Sequence, residues 1–115
     1  MKAKNLKEFK ALKKRYESIT LEEIKKALKA NCWFIGAQVL TGFGCDMTCT
    51  LCLPLKEDGY TNCNKCVYSV VKESGYQCLK GKNKKTYDRI LYADTPTLLH
   101  NAFRARAKHM QTLLK

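Results

Sequence analysis

Two Cys-x2-Cys pairs, Cys49-Thr50-Leu51-Cys52 and Cys63-Asn64-Lys65-Cys66, stand ten residues apart near the middle of the chain. A two-residue gap lets both thiolates of one knuckle face a single ion while backbone N–H groups of the turn hydrogen-bond the sulfurs. Two such knuckles supply the closed tetrahedral S4 set that structural zinc prefers. Zinc held this way contributes on the order of 10 kcal/mol of folding free energy, enough to shape a segment with few apolar contacts. A closed site leaves no coordination position for water, so the pattern points away from zinc catalysis.

The remaining cysteines leave the ligand set open. Six thiols fall between residues 45 and 78, two more than one zinc needs. Cys49, Cys52, Cys63 and Cys66 are the expected ligands, with Cys45 and Cys78 as substitutes. A second metal would have to draw on Cys32, His100 and His109. Cys32 sits in an apolar run and reads as a small core residue; the two histidines read as surface or packing residues of the last helix. Cys45-x3-Cys49-x2-Cys52 also has the spacing of the radical S-adenosylmethionine cluster motif. That chemistry needs a partial barrel of about 200 residues, and no glycine-rich cofactor segment follows. A non-catalytic iron–sulfur cluster is the lesser metal reading. Seven cysteines, an odd number, do not suggest a disulfide framework in a reducing compartment.

The charge lies elsewhere. The 115 residues carry 22 Lys and Arg against 10 Asp and Glu, a net charge of +12. Residues 1–31 are net +6, 32–79 net −1, 80–95 net +3 and 96–115 net +4. Four thiolates on one divalent ion lower the folded total to about +10. The basic N-terminus is not followed by an apolar segment of signal-peptide length. The longest apolar run, Cys32 to Ala37, is far short of the ~20 residues of a membrane span. The expectation is a cytoplasmic protein with no membrane partner.

Residues 2–16 predict an amphipathic helix through Leu6, Phe9, Leu12 and Tyr16. Thr20 to Glu23 matches a capping box, opening a helix with Leu21, Ile24 and Leu28 on its buried stripe. Residues 32–43 are uniformly apolar, and Trp33, Phe34, Val39 and Phe43 tilt the reading toward a strand pair rather than a continued helix. Asp58-Gly59 marks a turn. Residues 67–73 read as a short helix or strand, and residues 79–85 as a polar basic loop before a short helical turn around Tyr87, Ile90, Leu91 and Tyr92. Asp94-Thr95-Pro96 opens a last helix, with Leu99, Ala102, Phe103, Met110, Leu113 and Leu114 on one face. The fold expected is α+β and mainly helical. It is one small domain: an N-terminal helical segment (1–31), a zinc-knuckle or zinc-ribbon-like core (32–79), and a basic loop with C-terminal helix (80–115).

The run from Cys49-Thr50-Leu51-Cys52 through Cys63-Asn64-Lys65-Cys66 and Gly75-Tyr76-Gln77-Cys78 to Tyr87 and Ala93-Asp94-Thr95-Pro96 resembles a loose group of small cysteine-rich proteins. They are encoded mainly by bacteriophages and their hosts, and most have no assigned function. Val67 stands where that group often has proline. The resemblance covers roughly residues 49–114 and implies zinc binding and a viral origin without defining an activity.

No catalytic set is visible: there is no P-loop, no Ser–His–Asp order and no His-rich nuclease segment. The reading is a non-enzymatic accessory protein that binds nucleic acid with low sequence specificity. Lys80, Lys82, Lys84, Lys85, Arg104, Arg106 and Lys108, together with the basic N-terminus, supply the electrostatic footprint. Tyr76, Tyr87 and Tyr92 are candidates for base stacking. The alternatives are an inhibitor or modifier of a host protein, such as an anti-defence or transcription factor, and a virion structural component.

Overall fold

A computed structural model of the chain describes residues 3–30, 33–44, 49–62, 65–70 and 81–114. They form six helices, α1 (Leu6–Ser18), α2 (Leu21–Ala30), α3 (Trp33–Thr41), α4 (Val67–Val70), α5 (Gly81–Leu91) and α6 (Pro96–Leu113), with a two-stranded hairpin, β1 (Lys56–Glu57) and β2 (Tyr60–Thr61), before α4. The mainly helical character expected from the pattern is present.

Helix α6 is the centre of the packing, with α1, α5 and α2 against it. Its inner face carries Leu99, Phe103, Met110 and Leu113, spaced by four, seven and three residues as one face of a helix requires, all buried. Tyr16 of α1 stacks on Phe103 at 5.2 Å between ring centres, and Phe9 meets Tyr68 of α4 edge-on at 5.1 Å. Pro96 occupies the first turn of α6, and the Thr95 hydroxyl accepts a 3.1 Å hydrogen bond from the Leu98 N–H. The start of α2 is equally local in origin. Thr20 Oγ1 accepts from the Glu23 N–H at 3.2 Å while Glu23 Oε1 accepts from the Thr20 N–H at 3.1 Å. This is the reciprocal box its sequence implies. A Thr20→Ala protein should lose about 1 kcal/mol of stability, read as a lowered urea midpoint with an unchanged slope.

Two segments depart from the sequence reading. Residues 33–41 form helix α3, not a strand pair. Their apolar side chains carry no decisive period, and packing on α2 decides the outcome. Gly36 is placed so that a Cβ there would meet Leu28 Cδ2 at 2.6 Å, so α2 and α3 approach more closely than a side chain allows. Gly42 ends α3 at φ +84°, its N–H bonded to Gln38 O at 2.7 Å, a left-handed helix stop that glycine adopts without strain. The second departure is α5, which begins at Gly81 and takes in most of the segment read as a basic loop.

Arginines close several helix ends. Arg15 donates from Nε to Leu40 O near the end of α3 at 2.9 Å and pairs with Glu23 at 2.8 Å. The Arg104 guanidinium donates to Tyr16 O and, at 2.7 Å, to Ile19 O, carbonyls at the exit of α1. These carbonyls have no partner within their own helix, and a planar fork of donors reaches two at once.

Candidate metal centre

The first knuckle is formed by the chain leaving α3. Thr50 N–H returns to Gly42 O at 3.0 Å, and Cys49 O then accepts from Cys52 N–H at 3.0 Å and Leu53 N–H at 3.2 Å. This tight turn brings the two side chains together. Cys49 Sγ accepts from the Cys52 thiol first, and then from the backbone N–H groups of Leu51, Gly44 and Cys52. Burial opposes ionisation, but these donors hold the Cys49 thiol down to about 6, well below the ordinary thiol value. A turn that directs N–H dipoles at a sulfur stabilises the thiolate that binds metal.

From Cys52 the chain enters a 3-10 turn at Leu53–Leu55, with Pro54 inside it, and continues into the hairpin. Lys56 pairs with Thr61 and Glu57 with Tyr60. Asp58 and Gly59 between them take φ 47° and 87°, the positive values of a two-residue hairpin turn, as the Asp-Gly pair implies. Asn62 N–H bonds Leu55 O at 2.8 Å, so the hairpin returns the chain to the level of the first knuckle. Cys66 then lies buried at the entrance to α4.

A residue with no sequence signature joins the two halves. Asn5 is fully buried. Its Nδ2 donates to Leu51 O at 3.0 Å, inside the first knuckle, and to Cys66 Sγ at 3.2 Å, in the second. Its Oδ1 accepts from Val67 N–H at 3.0 Å. Lys4 adds a backbone bond to Lys65 O at 2.9 Å and an ion pair with Glu57 at 2.8 Å, which holds the Glu57 carboxyl below its usual range. Lys4 and Asn5 thus tie the Cys49–Cys52 turn and the hairpin to Lys65, Cys66 and Val67 before α1 begins.

Cys49, Cys52 and Cys66 are thiols outside any disulfide. Cys63, the fourth expected ligand, and Cys45, Cys78 and Cys32 lie outside the described residues. Among the described residues no three Cys, His, Asp or Glu side chains form a metal-holding group. What is present fits a thiophilic ion: buried sulfurs supplied with N–H donors, the chemistry that lowers the cost of an S4 charge. His109 is not part of it; its Nε2 lies 2.6 Å from Asn83 Oδ1 in the contact between α5 and α6.

The expected basic site divides. Lys84, Lys85 and Lys108 are exposed, and Lys84 pairs with Asp88 at 2.7 Å. Lys80 and the side chain of Lys82 lie outside the described residues. Arg104 and Arg106 do not belong to an exposed surface. Arg104 is committed to the α1 carbonyls, and Arg106 is only 4 % exposed. The Arg106 guanidinium lies 4.6 Å from the Tyr68 ring centre and donates to Asn83 O at 2.5 Å and Thr86 Oγ1 at 2.7 Å. Sequence charge alone assigned both to ligand binding; the buried stripe of α6, in which Arg106 falls between Phe103 and Met110, was the signal to the contrary. Arg106→Ala should therefore lower stability by about 3 kcal/mol through unpaired buried acceptors and lost packing. The salt dependence of any polyanion binding should stay unchanged.

Apart from Arg89, the exposed positive charge among the described residues is lysine. Lys7, Lys10 and Lys14 on α1 and Lys25, Lys26 and Lys29 on α2 are exposed, with no carboxylate partner among the described residues. Lys10, Lys13 and Lys14 line a shallow groove with Glu17, Gln111 and Leu114, and Lys25, Lys26 and Lys29 line another with Glu22, Leu28 and Pro96. Of the candidate stacking residues, Tyr87 packs on Phe43 at 4.8 Å, Tyr76 lies outside the described residues, and Tyr92 is exposed. No described helix is long and apolar enough to cross a membrane. No family model, curated protein or solved structure matches the chain.

Proposed function

We propose that the chain is a small non-enzymatic accessory protein in which one structural zinc ion holds a basic surface for nucleic acid, read with low sequence specificity. Cys49, Cys52, Cys63 and Cys66 are the ligands, with Cys45 or Cys78 as substitutes. A bacteriophage origin, as the resemblance implies, and a cytoplasmic site of action belong to the same proposal. The observation that carries the binding half is the division of cations. The guanidiniums of Arg15, Arg104 and Arg106 serve internal carbonyls and a carboxylate. Six lysines of α1 and α2 are left exposed without a carboxylate partner among the described residues. A lysine is a point charge that neutralises phosphate without reading bases.

The test is binding of fluorescent DNA and RNA oligonucleotides across a salt series. Affinity should fall steeply with salt, and replacing Lys25, Lys26 and Lys29 by alanine should lower the log–log slope by about 2. Binding that ignores salt, or none at low salt, removes the proposal. A partner retained from nuclease-treated host lysate would instead favour the inhibitor reading.

A further inference from the structure

Helix α5 has two faces of different chemistry. Asn83 and Ile90 are buried, and Thr86 and Tyr87 are half-buried against the rest of the fold. Lys85, Arg89 and Tyr92 are exposed. They stand at i, i+4 and i+7, which places them along one line of the helix surface, spanning about 10 Å. The helical geometry extends to Tyr92, whose N–H bonds Asp88 O at 2.9 Å. Tyr92 is 74 % exposed, the largest exposure among the large hydrophobic side chains described. The only acid in α5, Asp88, is paired with Lys84 at 2.7 Å. Among the described residues, the outward line therefore presents two cations without a carboxylate partner and an aromatic face; Asp88 is held by Lys84, and the exposed Asp94 lies two residues beyond Tyr92.

An exposed tyrosine beside cations suits one ligand chemistry in particular. Its ring gains by stacking on a planar base, and only an unpaired base offers that face, while flanking cations hold phosphates. A duplex buries its base faces and offers phosphates alone to such a line. We propose that this face of α5 binds single-stranded nucleic acid, with Tyr92 stacking on a base and Lys85 and Arg89 neutralising adjacent phosphates. This rests on the nucleic-acid reading above and names its substrate class.

The test compares the full-length protein and its variants on a labelled oligothymidylate of fifteen nucleotides and a duplex of equal length. The unaltered protein should prefer the single strand. Tyr92→Ala should weaken single-strand binding about tenfold, within the range for one lost base stack, and leave duplex binding unchanged. Tyr92→Phe should retain the single-strand affinity, because the ring rather than the hydroxyl is required. Circular dichroism should show the fold unaltered in both. Equal affinity of Tyr92→Ala and the unaltered protein, an equal loss in Tyr92→Phe, or a preference for duplex would overturn the stacking proposal. Continued salt-dependent binding in those cases would leave the broader reading standing. Failure of the unaltered protein to bind either oligonucleotide removes both.

Discussion

Cys66→Ala is expected to lose both the metal and the cooperative unfolding transition of the chain. The reason is one of scale. A zinc–thiolate site of this kind contributes on the order of 10 kcal/mol, and a domain of this size is stable by only about 5–15 kcal/mol in total. Cys66 is buried, and its sulfur is tied through Asn5 to the first knuckle. On the proposed zinc site its removal costs a ligand, and it leaves the buried Asn5 donor without its sulfur acceptor. Near-ultraviolet circular dichroism during heating should show a broad, weak transition, while Lys108→Ala, an exposed change on the same protein, should melt as the unaltered chain does. Retention of zinc with an unchanged melt in Cys66→Ala would mean that Cys66 is not a ligand and that Cys45 or Cys78 takes its place.

Asn5→Ala should be the most damaging change outside the cysteines. It removes two donors and one acceptor from a fully buried position. Leu51 O and Val67 N–H are then left without that amide, at about 1–3 kcal/mol for each buried group stranded, so a loss of about 4 kcal/mol is expected. The effect should reach the metal as well. An amide donor to a ligating sulfur is an outer-shell contact, whose loss costs about 10–100-fold in metal affinity. Zinc should pass faster to a competing chelator in Asn5→Ala, and faster still in Asn5→Asp. That variant keeps the acceptor for Val67 N–H but sets a negative oxygen beside a thiolate. Urea unfolding and chelator competition read the two effects separately. An Asn5→Asp protein that holds zinc as tightly as the unaltered chain would show that the contact to Cys66 does not act on the metal.

What could be read from the sequence was what is encoded locally. The Thr20–Glu23 box, the Asp58-Gly59 turn and the Thr95-Pro96 helix start each depend on residues within four positions, and each has the expected geometry. Helix α3 was misread because β-propensity in an apolar run reflects burial as much as backbone preference. The deciding contact, Gly36 against Leu28, is tertiary. The start of α5 was hidden for a different reason. Its inner face is polar at Asn83 and Thr86, where a hydrophobic period looks for apolar residues, because its partner is the buried Arg106 guanidinium. Asn5 was invisible for the same physical reason: one buried amide across 46 and 61 residues of separation leaves no periodic trace.

Arginine and lysine also separate here in a way that a count of charges conceals. Three of four arginines are spent on carbonyls and a carboxylate within the fold, and Arg89 is the exposed exception. The charge available to a partner is thus smaller than the net +12 suggests and sits chiefly on lysines. Of the footprint expected from sequence, Arg104 and Arg106 of α6 drop out, while the basic N-terminal helices α1 and α2 and the outer line of α5 remain.

Metal content is the most direct test of a zinc-held fold. Protein purified without chelator should contain one zinc per chain by elemental analysis, show no visible absorbance, and release that zinc when its thiols are modified. A protein free of metal yet fully folded, or a brown one containing iron and labile sulfide, would contradict it.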